Sequence, residues 1–252
     1  MKRLLIFLIL FLNTDIFAFD FKEVTADYTV SYGVFGEVAK AHASLKVLDG
    51  TYKIKIVAEG TGLAKLLSRG RVEVFESTGI VQDNKLLPHL FVQEKTWGEK
   101  QYKRRYFFHH DTKTIEVQKT QRVGAEQAAS KETLGYYAKN DILTIFFNLK
   151  SLIGEALQPP NPLQLKAVGA NKDNGILSVK TPQGKKKEEI KNLLDKDKHL
   201  LIAILHQKLF SSQQGELFLN INDEGICDKV ILKDVVMFGD LLGSIQNVTI
   251  KR

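Results

Sequence analysis

From residue 28 onward, apolar and polar residues alternate with a period of two, which is typical of half-buried β-strands. The first runs of this kind cover residues 28–32 and 39–47, and a third covers residues 52–58. The pair Asp49-Gly50 joins the second run to the third, and Asp-Gly between alternating runs is a strong signal for a β-hairpin. The sequence therefore predicts antiparallel strands in this part of the chain.

One face of the second predicted strand carries small side chains. Ala39, Ala41 and Ala43 alternate there with Lys40 and His42. Alanines on an inward face let another element approach closely, so we expect a helix or a second sheet to pack against them. The alternative is that the space above the alanines holds a ligand.

Further short strands are predicted along the rest of the chain, separated mostly by glycine and by Asp or Asn turns. They cover residues 71–75, 90–95, 101–108, 114–119, 163–168, 176–180, 200–205, 217–221, 230–236 and 246–250. Strands of this length and spacing indicate a mainly β fold, either an antiparallel curled sheet or a partly open barrel or sandwich.

One segment departs from the strand pattern and has helical periodicity. Its apolar residues fall on one helical face: Ile142, Ile145, Phe146, Leu149, Leu152 and Ile153. Asp141 is a suitable N-cap, and Gly154 is a suitable terminator. The sequence therefore predicts one amphipathic helix over residues 141–153, packed in the concave face of the curled sheet.

The first eighteen residues have the order of a secretory signal peptide. Lys2 and Arg3 precede an apolar run over residues 4–12, and cleavage is expected after Ala18. The run is nine residues long, whereas a spanning helix needs roughly 20, so no membrane span is expected after cleavage. An uncleaved anchor is the alternative, because Ile16 is large for a cleavage-site residue.

The composition is that of an ordinary globular protein with a basic surface. Hydrophobic residues make up 44% of the chain and charged residues 26%, and the formal net charge is +7. A basic surface favours anionic partners such as lipid headgroups or cell-envelope polymers. Since export separates the protein from nucleic acid, we do not expect nucleic acid as a partner.

The residues after the signal peptide, 19–252, are expected to form a β-rich domain. The stiff segment Pro159-Pro160-Asn161-Pro162 is the best candidate for an internal boundary. The domain is therefore either undivided or composed of two halves that join near residues 155–162.

The sequence carries none of the familiar motifs of catalysis or metal binding. Its six histidines lack metal-ligand spacing, it has no Gly-x-Ser-x-Gly motif, and Gly60-x-Gly62 is only a fragment of a phosphate-binding loop. The single cysteine, Cys227, permits no intramolecular disulfide and is expected to be a small apolar core residue. We therefore expect no metal and no cofactor, and we assign no catalytic residue.

A cluster of aromatic and basic residues lies on the strand predicted at 101–108. Alternation places Tyr102, Arg104 and Tyr106 on one face of this strand. Aromatic rings beside a cation can bind sugars, lipid headgroups or bases, although tyrosines that cover the core would give the same pattern. The candidate ligand-binding residues are therefore Ala41, Ala43, Tyr102, Arg104 and Tyr106.

Two further polar clusters are expected to be ordinary surface. The pair His109-His110 is expected in a solvated turn that leads to Asp111. Residues 185–187 are three lysines, and we expect them in a loop or in an edge strand protected by charge.

Several short motifs are distributed over most of the chain. They are Tyr28-Thr-Val-Ser-Tyr-Gly33, Phe35-Gly36-Glu37, Gly60-Thr-Gly62-Leu63, Leu87-Pro88, Asp141-Ile-Leu-Thr144 with Phe146-Phe147, and Gly239-Asp-Leu-Leu-Gly-Ser244. Taken in order, they resemble an exported bacterial family catalogued as domain of unknown function 3108. The resemblance implies a β-rich domain in the periplasm of a Gram-negative bacterium, and it supplies no catalytic residues.

Together these features predict a periplasmic, non-enzymatic binding or envelope-maintenance protein. A curled sheet with an apolar concave face and a basic exterior suits a lipid or an anionic envelope polymer. One alternative is a protein–protein adaptor of an envelope complex, which would expose an edge strand or an apolar patch. A less favoured alternative is a cell-wall hydrolase, which would have a cleft with converging carboxylates.

Overall fold

The residues of the chain that the structure describes form fifteen strands of one sheet and four short helices. The strands are β1 (Glu23–Tyr32), β2 (Glu37–Leu48), β3 (Thr51–Gly60), β4 (Val72–Gln82), β5 (Lys85–Trp97), β6 (Lys100–His109), β7 (Thr114–Val123), β8 (Glu126–Thr133), β9 (Asn140–Asp141), β10 (Leu163–Val168), β11 (Ile176–Lys180), β12 (Leu200–Ile204), β13 (Glu216–Ile221), β14 (Cys227–Leu232) and β15 (Leu241–Lys251). The helices are α1 (Gly62–Leu67), α2 (Ile142–Phe147), α3 (Leu149–Ile153) and α4 (Gly184–Leu194), and a 3₁₀ turn covers Gly33–Phe35.

The structure is a computed structural model, and it describes residues 21–154, 157–159, 162–195, 199–207, 215–233 and 240–252. The predicted signal peptide over residues 1–18 lies outside the described residues. Residues 155, 156, 160 and 161 of the predicted boundary also lie outside them.

The sheet is an open, mostly antiparallel meander with β8 and β9 at its two edges. Its order is β8-β7-β6-β5-β4-β3-β2-β1-β15-β14-β13-β12-β11-β10-β9. The first and last strands therefore pair with each other, β1 against β15, with Glu23 opposite Lys251. Only the short pairing of β9 with β10 is parallel. The predicted mainly β, antiparallel, partly open architecture is confirmed.

The sheet curls strongly, so that strands far apart in its order approach each other. A β-carbon at Gly169, directly after β10, would lie only 3.1 Å from Cε1 of Phe91 in β5. These two strands are ten places apart in the sheet, which would be roughly 48 Å if the sheet were flat. The curl produces a concave face, and α2 and α3 pack inside it: Leu143 of α2 shares a core cluster with Val168, and Leu149 of α3 shares one with Leu177.

The helix predicted over residues 141–153 is present, but it is broken at one residue. Asp141 is the N-cap and Gly154 the C-cap, as predicted. Asn148 stands between α2 and α3 with a ψ of 1°, so the prediction of one continuous helix is wrong. The physical reason is that the side chain of Asn148 is bonded to Leu86 and Asn140, which holds its backbone away from helical geometry.

The lysines at 185–187 belong to a helix, so the prediction of a loop or edge strand is wrong. They open α4, whose Ile190 and Leu194 are fully buried on the outer face of β12, β13 and β14. This region of the sheet is therefore covered on both faces, by α2 and α3 inside and by α4 outside.

Strand β8 was not predicted, because all eight of its residues are exposed and it has no apolar face. It pairs with β7 from Glu126 to Thr133, with ion pairs of Lys119 with Glu132 and of Lys131 with Glu116 across the two strands, and it forms one edge of the sheet.

Candidate functional site

An apolar cavity of about 330 Å³ lies on the concave face, between the middle strands of the sheet and the end of α2. Its wall comes from six strands, from α2 and from the turn before β14, and is formed by Val24, Ala26, Tyr28, Val30, Ala41, Ala43, Ser44, Ile56, Phe146, Phe147, Leu219, Ile226, Cys227, Val230 and Gly243. A volume of this size lies at the lower end of the range for small-molecule sites.

The cavity exists because small residues meet across the pairing of β1 and β2. Ala26 lies opposite Ala43, and Tyr28 lies opposite Ala41. On the other side of β1, Gly243 lies opposite Val30. Larger side chains at these positions would fill the space that the concave face encloses. The structure thus brings two of the candidate residues, Ala41 and Ala43, into the wall of one cavity.

The expectation that a helix packs closely against the alanines describes only part of this arrangement. Phe146 and Phe147 at the end of α2 contribute to the wall, with ring centroids 5.7 Å apart in an edge-to-face arrangement. They stop short of filling the space, because Asn148 interrupts the helix at the next residue. An open apolar volume therefore remains between the helix and the sheet.

Two polar side chains in the wall, those of Tyr28 and Cys227, are hydrogen-bonded within the protein. The Tyr28 hydroxyl donates to the carbonyl of Cys227 over 2.9 Å, and burial raises the pKa of this hydroxyl well above its ordinary value. The Cys227 thiol donates to the carbonyl of Lys229 over 3.2 Å, and burial raises the pKa of the thiol to about 12. Neither group is prepared for nucleophilic chemistry at neutral pH. The cavity therefore offers apolar contact and shape.

A buried hydrogen-bond chain fixes α2 on the sheet. Asp141 Oδ1 accepts from the amides of Leu143 and Thr144, and Asp141 Oδ2 accepts from Ser77 Oγ over 2.6 Å. The hydroxyls of Ser77 and Tyr52 lie 2.9 Å apart, which extends the chain to β3. Burial raises the pKa of Asp141 to about 6, against the hydrogen bonds that lower it. These bonds position α2, and with it Phe146 and Phe147.

The other candidate residues lie away from the cavity, on β6, four strands from β2. Tyr106 is buried and stacks on Phe91, with ring centroids 5.7 Å apart. Tyr102 stacks on Trp97 at 5.1 Å near the end of the sheet, and Arg104 is exposed beside it. Tyr106 thus covers the core, whereas Tyr102 and Arg104 share a shallow surface groove.

That groove has a volume of about 290 Å³ and is lined by Tyr102, Arg104, Lys103 and Lys119, among others. Lys103 pairs with Glu94 at 2.7 Å, and Lys119 pairs with Glu132 at 2.6 Å. Most of the positive charge in the groove is therefore neutralised by neighbouring carboxylates.

A second groove, of about 510 Å³, lies on the polar outer face of β1, β2 and β3. It gathers three carboxylates, and each pairs with a basic side chain: Asp27 with His42 at 2.7 Å, Glu37 with Lys40 at 3.5 Å, and Glu59 with Lys65 at 3.9 Å. Within the described residues, no group of three or more His, Cys, Asp or Glu side chains could hold a metal ion.

His110 has a structural role instead of the expected solvated position. Its Nε2 donates to the carbonyl of Pro88 over 2.6 Å, so its Nδ1 accepts from the Tyr137 hydroxyl over 2.8 Å. Of the two histidines, His109 ends β6 and is exposed, whereas His110 begins the following turn and is half-buried.

The sequence of the chain matches a known protein family. The family described as protein of unknown function DUF3108 matches residues 27–157, which include β2 to β9, α2 and α3. Neither a curated protein nor a solved structure matches the chain. Among the described residues, no helix is long and apolar enough to cross a membrane. The match covers just over half of the sequence, and the chain therefore belongs to the DUF3108 family.

Proposed function

We propose that this protein binds a lipid by taking an acyl chain into the cavity between β1, β2 and α2, and that it does so in the periplasm without enzymatic chemistry. The observation that carries the proposal is the apolar wall of a cavity of about 330 Å³, in which the Tyr28 hydroxyl and the Cys227 thiol already have hydrogen-bond partners. Each methylene transferred from water into such a space contributes roughly 0.8 kcal/mol.

The composition of the wall supports this proposal. An unfilled apolar volume destabilises a fold, and its cost rises with its size. Ala26, Ala41 and Ala43 create this volume at positions where valine or leucine would suit a strand equally well. A ligand that occupies the volume would recover the lost contacts.

An anionic envelope polymer is the second candidate ligand, and the groove beside Tyr102 and Arg104 is the place for it. Its lysines are held by Glu94 and Glu132, which leaves Arg104 as the main cation for such a ligand. The cavity therefore carries the stronger argument.

The adaptor alternative rests on the exposed edge strand β8. This strand carries Glu126, Lys131 and Glu132, and charged side chains on an edge oppose pairing with another strand. The cavity has no role in that alternative.

The proposal is tested by native mass spectrometry of the mature protein from the bacterial periplasm, before and after organic extraction. We expect an acyl-bearing species that extraction removes. The extracted protein is then titrated with a fluorescent fatty acid. In Ala43→Phe the new ring occupies the cavity, and we expect at least a tenfold loss of affinity for this probe.

Ala129→Phe is the matched control, because it makes the same change at an exposed position that lines the groove beside Arg104. It should bind the fatty acid as the wild-type protein does. Equal binding by wild type and Ala43→Phe, or no binding by either, would overturn the proposal. A loss of binding in Ala129→Phe alone would move the site to the groove.

A further inference from the structure

Four large apolar side chains are exposed at one end of the sheet. They are Val34, Phe35, Leu66 and Leu67, with exposed fractions of 88%, 53%, 72% and 76%. Exposed apolar side chains are ordinary when scattered, but a cluster marks a surface for contact with another phase or molecule. We call this cluster the apolar rim.

The topology brings the four side chains together. Phe35 belongs to the 3₁₀ turn between β1 and β2, and Leu66 belongs to α1 between β3 and β4. The pairings Ala39–Gly60 and Glu59–Val72 put both connections at the same end of neighbouring strands. Two strand spacings separate them, which is roughly 10 Å.

Local hydrogen bonds hold the apolar rim in its exposed position. The amide of Tyr32 donates to the carbonyl of Gly36 over 2.9 Å, which closes the 3₁₀ turn. The amide of Thr61 donates to the carbonyl of Val38 over 2.9 Å and ties the start of α1 to β2. The Tyr32 ring stacks on Phe35, with centroids 5.8 Å apart.

Cations stand directly beside the apolar rim. Residues 62–71 contain Lys65, Arg69 and Arg71 and no acidic residue, and Lys65 pairs with Glu59 of β3 at 3.9 Å. Arg71 lies over the ring of Trp97 at 5.8 Å and also pairs with Glu73. Arg69 has no acidic partner in the part of the chain that the structure describes. Apolar side chains flanked by Lys, Arg and Trp are typical of surfaces that lie in a membrane interface.

The apolar rim and the cavity lie along the same strand, β1. Val30 forms part of the cavity wall, and Tyr32 follows two residues later on the same face of β1. The Tyr32 ring then contacts Phe35. Half-buried apolar and aromatic side chains therefore follow one face of β1 from the cavity wall toward the apolar rim.

We propose that the apolar rim docks on an anionic lipid bilayer, so that an acyl chain passes between the bilayer and the cavity. The cations beside it favour an anionic bilayer as the partner, because Lys and Arg that flank apolar side chains bind anionic headgroups while the apolar side chains enter the interface. The transfer step rests on the proposed function, whereas the docking step does not.

Docking is tested by cosedimentation of the mature protein with vesicles. One set of vesicles contains phosphatidylethanolamine and phosphatidylglycerol, and the other contains only phosphatidylcholine. We expect binding to the anionic vesicles and at least a tenfold weaker partition into the neutral ones. The double variant Leu66→Ser with Leu67→Ser, and separately Arg69→Glu, should each reduce the partition into anionic vesicles at least fivefold.

Leu48→Ser is the matched control, because Leu48 is 71% exposed but lies in the hairpin at the opposite end of β2. It should bind anionic vesicles as the wild-type protein does. Equal losses in Leu48→Ser and in the rim variants would overturn the proposal, as would wild-type partition in the rim variants. Crosslinking in cells tests the adaptor alternative. If the wild-type protein binds no vesicles but is crosslinked to a protein partner that the rim variants lose, the adaptor alternative replaces the docking proposal.

Ala43→Phe separates this proposal from the proposed function. This variant should still bind anionic vesicles, although its affinity for the fluorescent fatty acid is reduced. If wild type binds vesicles but never takes up the fatty acid, acyl binding fails and docking stands. If wild type takes up the fatty acid but never binds vesicles, docking fails and acyl binding stands.

Discussion

Asn148 forms with Leu86 the two hydrogen bonds that a neighbouring strand would form. The Leu86 amide donates to Asn148 Oδ1 over 2.8 Å, and Asn148 Nδ2 donates to the Leu86 carbonyl over 2.9 Å. Strand β6 reaches only as far as Leu90 of β5, so this stretch of β5 has no strand on that side. The side-chain amide thus completes the sheet and anchors the junction of α2 and α3 to it.

This anchor leads to the first prediction. Asn148→Ala leaves two buried backbone groups of Leu86 without partners, so we expect it to lower the free energy of unfolding by about 2 to 4 kcal/mol. Urea denaturation measures this loss. Asn148→Asp should also destabilise the protein, because a carboxylate cannot donate to the Leu86 carbonyl. The exposed Asn247→Ala is the control and should stay within about 0.5 kcal/mol of wild type.

The second prediction concerns the pH dependence that Asp141 creates. The pKa of this carboxyl is about 6 in the folded protein and 3.8 as its ordinary value. The folded state therefore holds the proton on Asp141 more tightly than the unfolded state does. The contribution of this proton to the free energy of unfolding is complete below pH 3.8 and is lost as pH rises through 6. The difference between these pKa values corresponds to about 3 kcal/mol.

Asp141→Asn removes this titration while keeping the carbonyl oxygen that caps α2. Between pH 4 and 7, the free energy of unfolding of wild type should fall relative to that of Asp141→Asn, as measured by urea denaturation at each pH. A constant difference across this range would contradict the assignment. Asp141→Ala also loses the cap, which costs about 1 kcal/mol at every pH.

The sequence predicts the alanine face of the cavity but not the cavity itself. The period of two along β2, with the Asp49-Gly50 hairpin, is enough to place Ala41 and Ala43 on one inward face. The cavity also needs β15 beside β1, a pairing between segments more than 200 residues apart that no local pattern contains. The cavity needs α2 to end at Asn148 as well, whose side chain is hydrogen-bonded to the Leu86 backbone of β5. Residues 86 and 148 are far apart in the sequence, so no local pattern contains this contact.

Two other features were hidden for different physical reasons. Ile190 and Leu194 are four residues apart, which is the spacing of a helix with one narrow apolar face. This helix was not predicted, because the three lysines at its start indicated a charged loop or edge strand. The exposure of Leu66 and Leu67 in α1 was not predicted, because leucines in a short helix usually face the core. Exposure depends on tertiary position, which local periodicity does not give.

The third prediction tests the packing of α4. Leu194 is fully buried against the outer face of the sheet, whereas Leu193 is 38% exposed. Leu194→Ala should lower the free energy of unfolding by about 2 to 5 kcal/mol, since the change leaves a cavity beside β12 and β13. Leu193→Ala makes the same chemical change at the next residue, and we expect a much smaller loss. Thermal or urea denaturation distinguishes the two, and equal losses would contradict the observed burial.

The fourth prediction concerns His110, which joins β5 to the end of β6. Burial lowers the pKa of this imidazole below its ordinary value of 6.5, despite the opposing bond to the Pro88 carbonyl. A protonated ring would have to place a second N–H against the Tyr137 hydroxyl, which could then no longer donate to Nδ1. The unfolded state therefore takes up the proton first as pH falls below 6.5.

The contribution of the neutral His110 ring to the free energy of unfolding should consequently be complete above pH 6.5. It should decline as pH falls through the lowered pKa of His110. Proton NMR of the ring should give a titration midpoint below 6.5 for His110. His110→Gln should weaken the loss of stability between pH 7 and 5, while His109→Gln should leave it unchanged. A His110 midpoint at or above 6.5 would mean that the ring is open to water in solution, and that Pro88 and Tyr137 are not held together by a neutral imidazole.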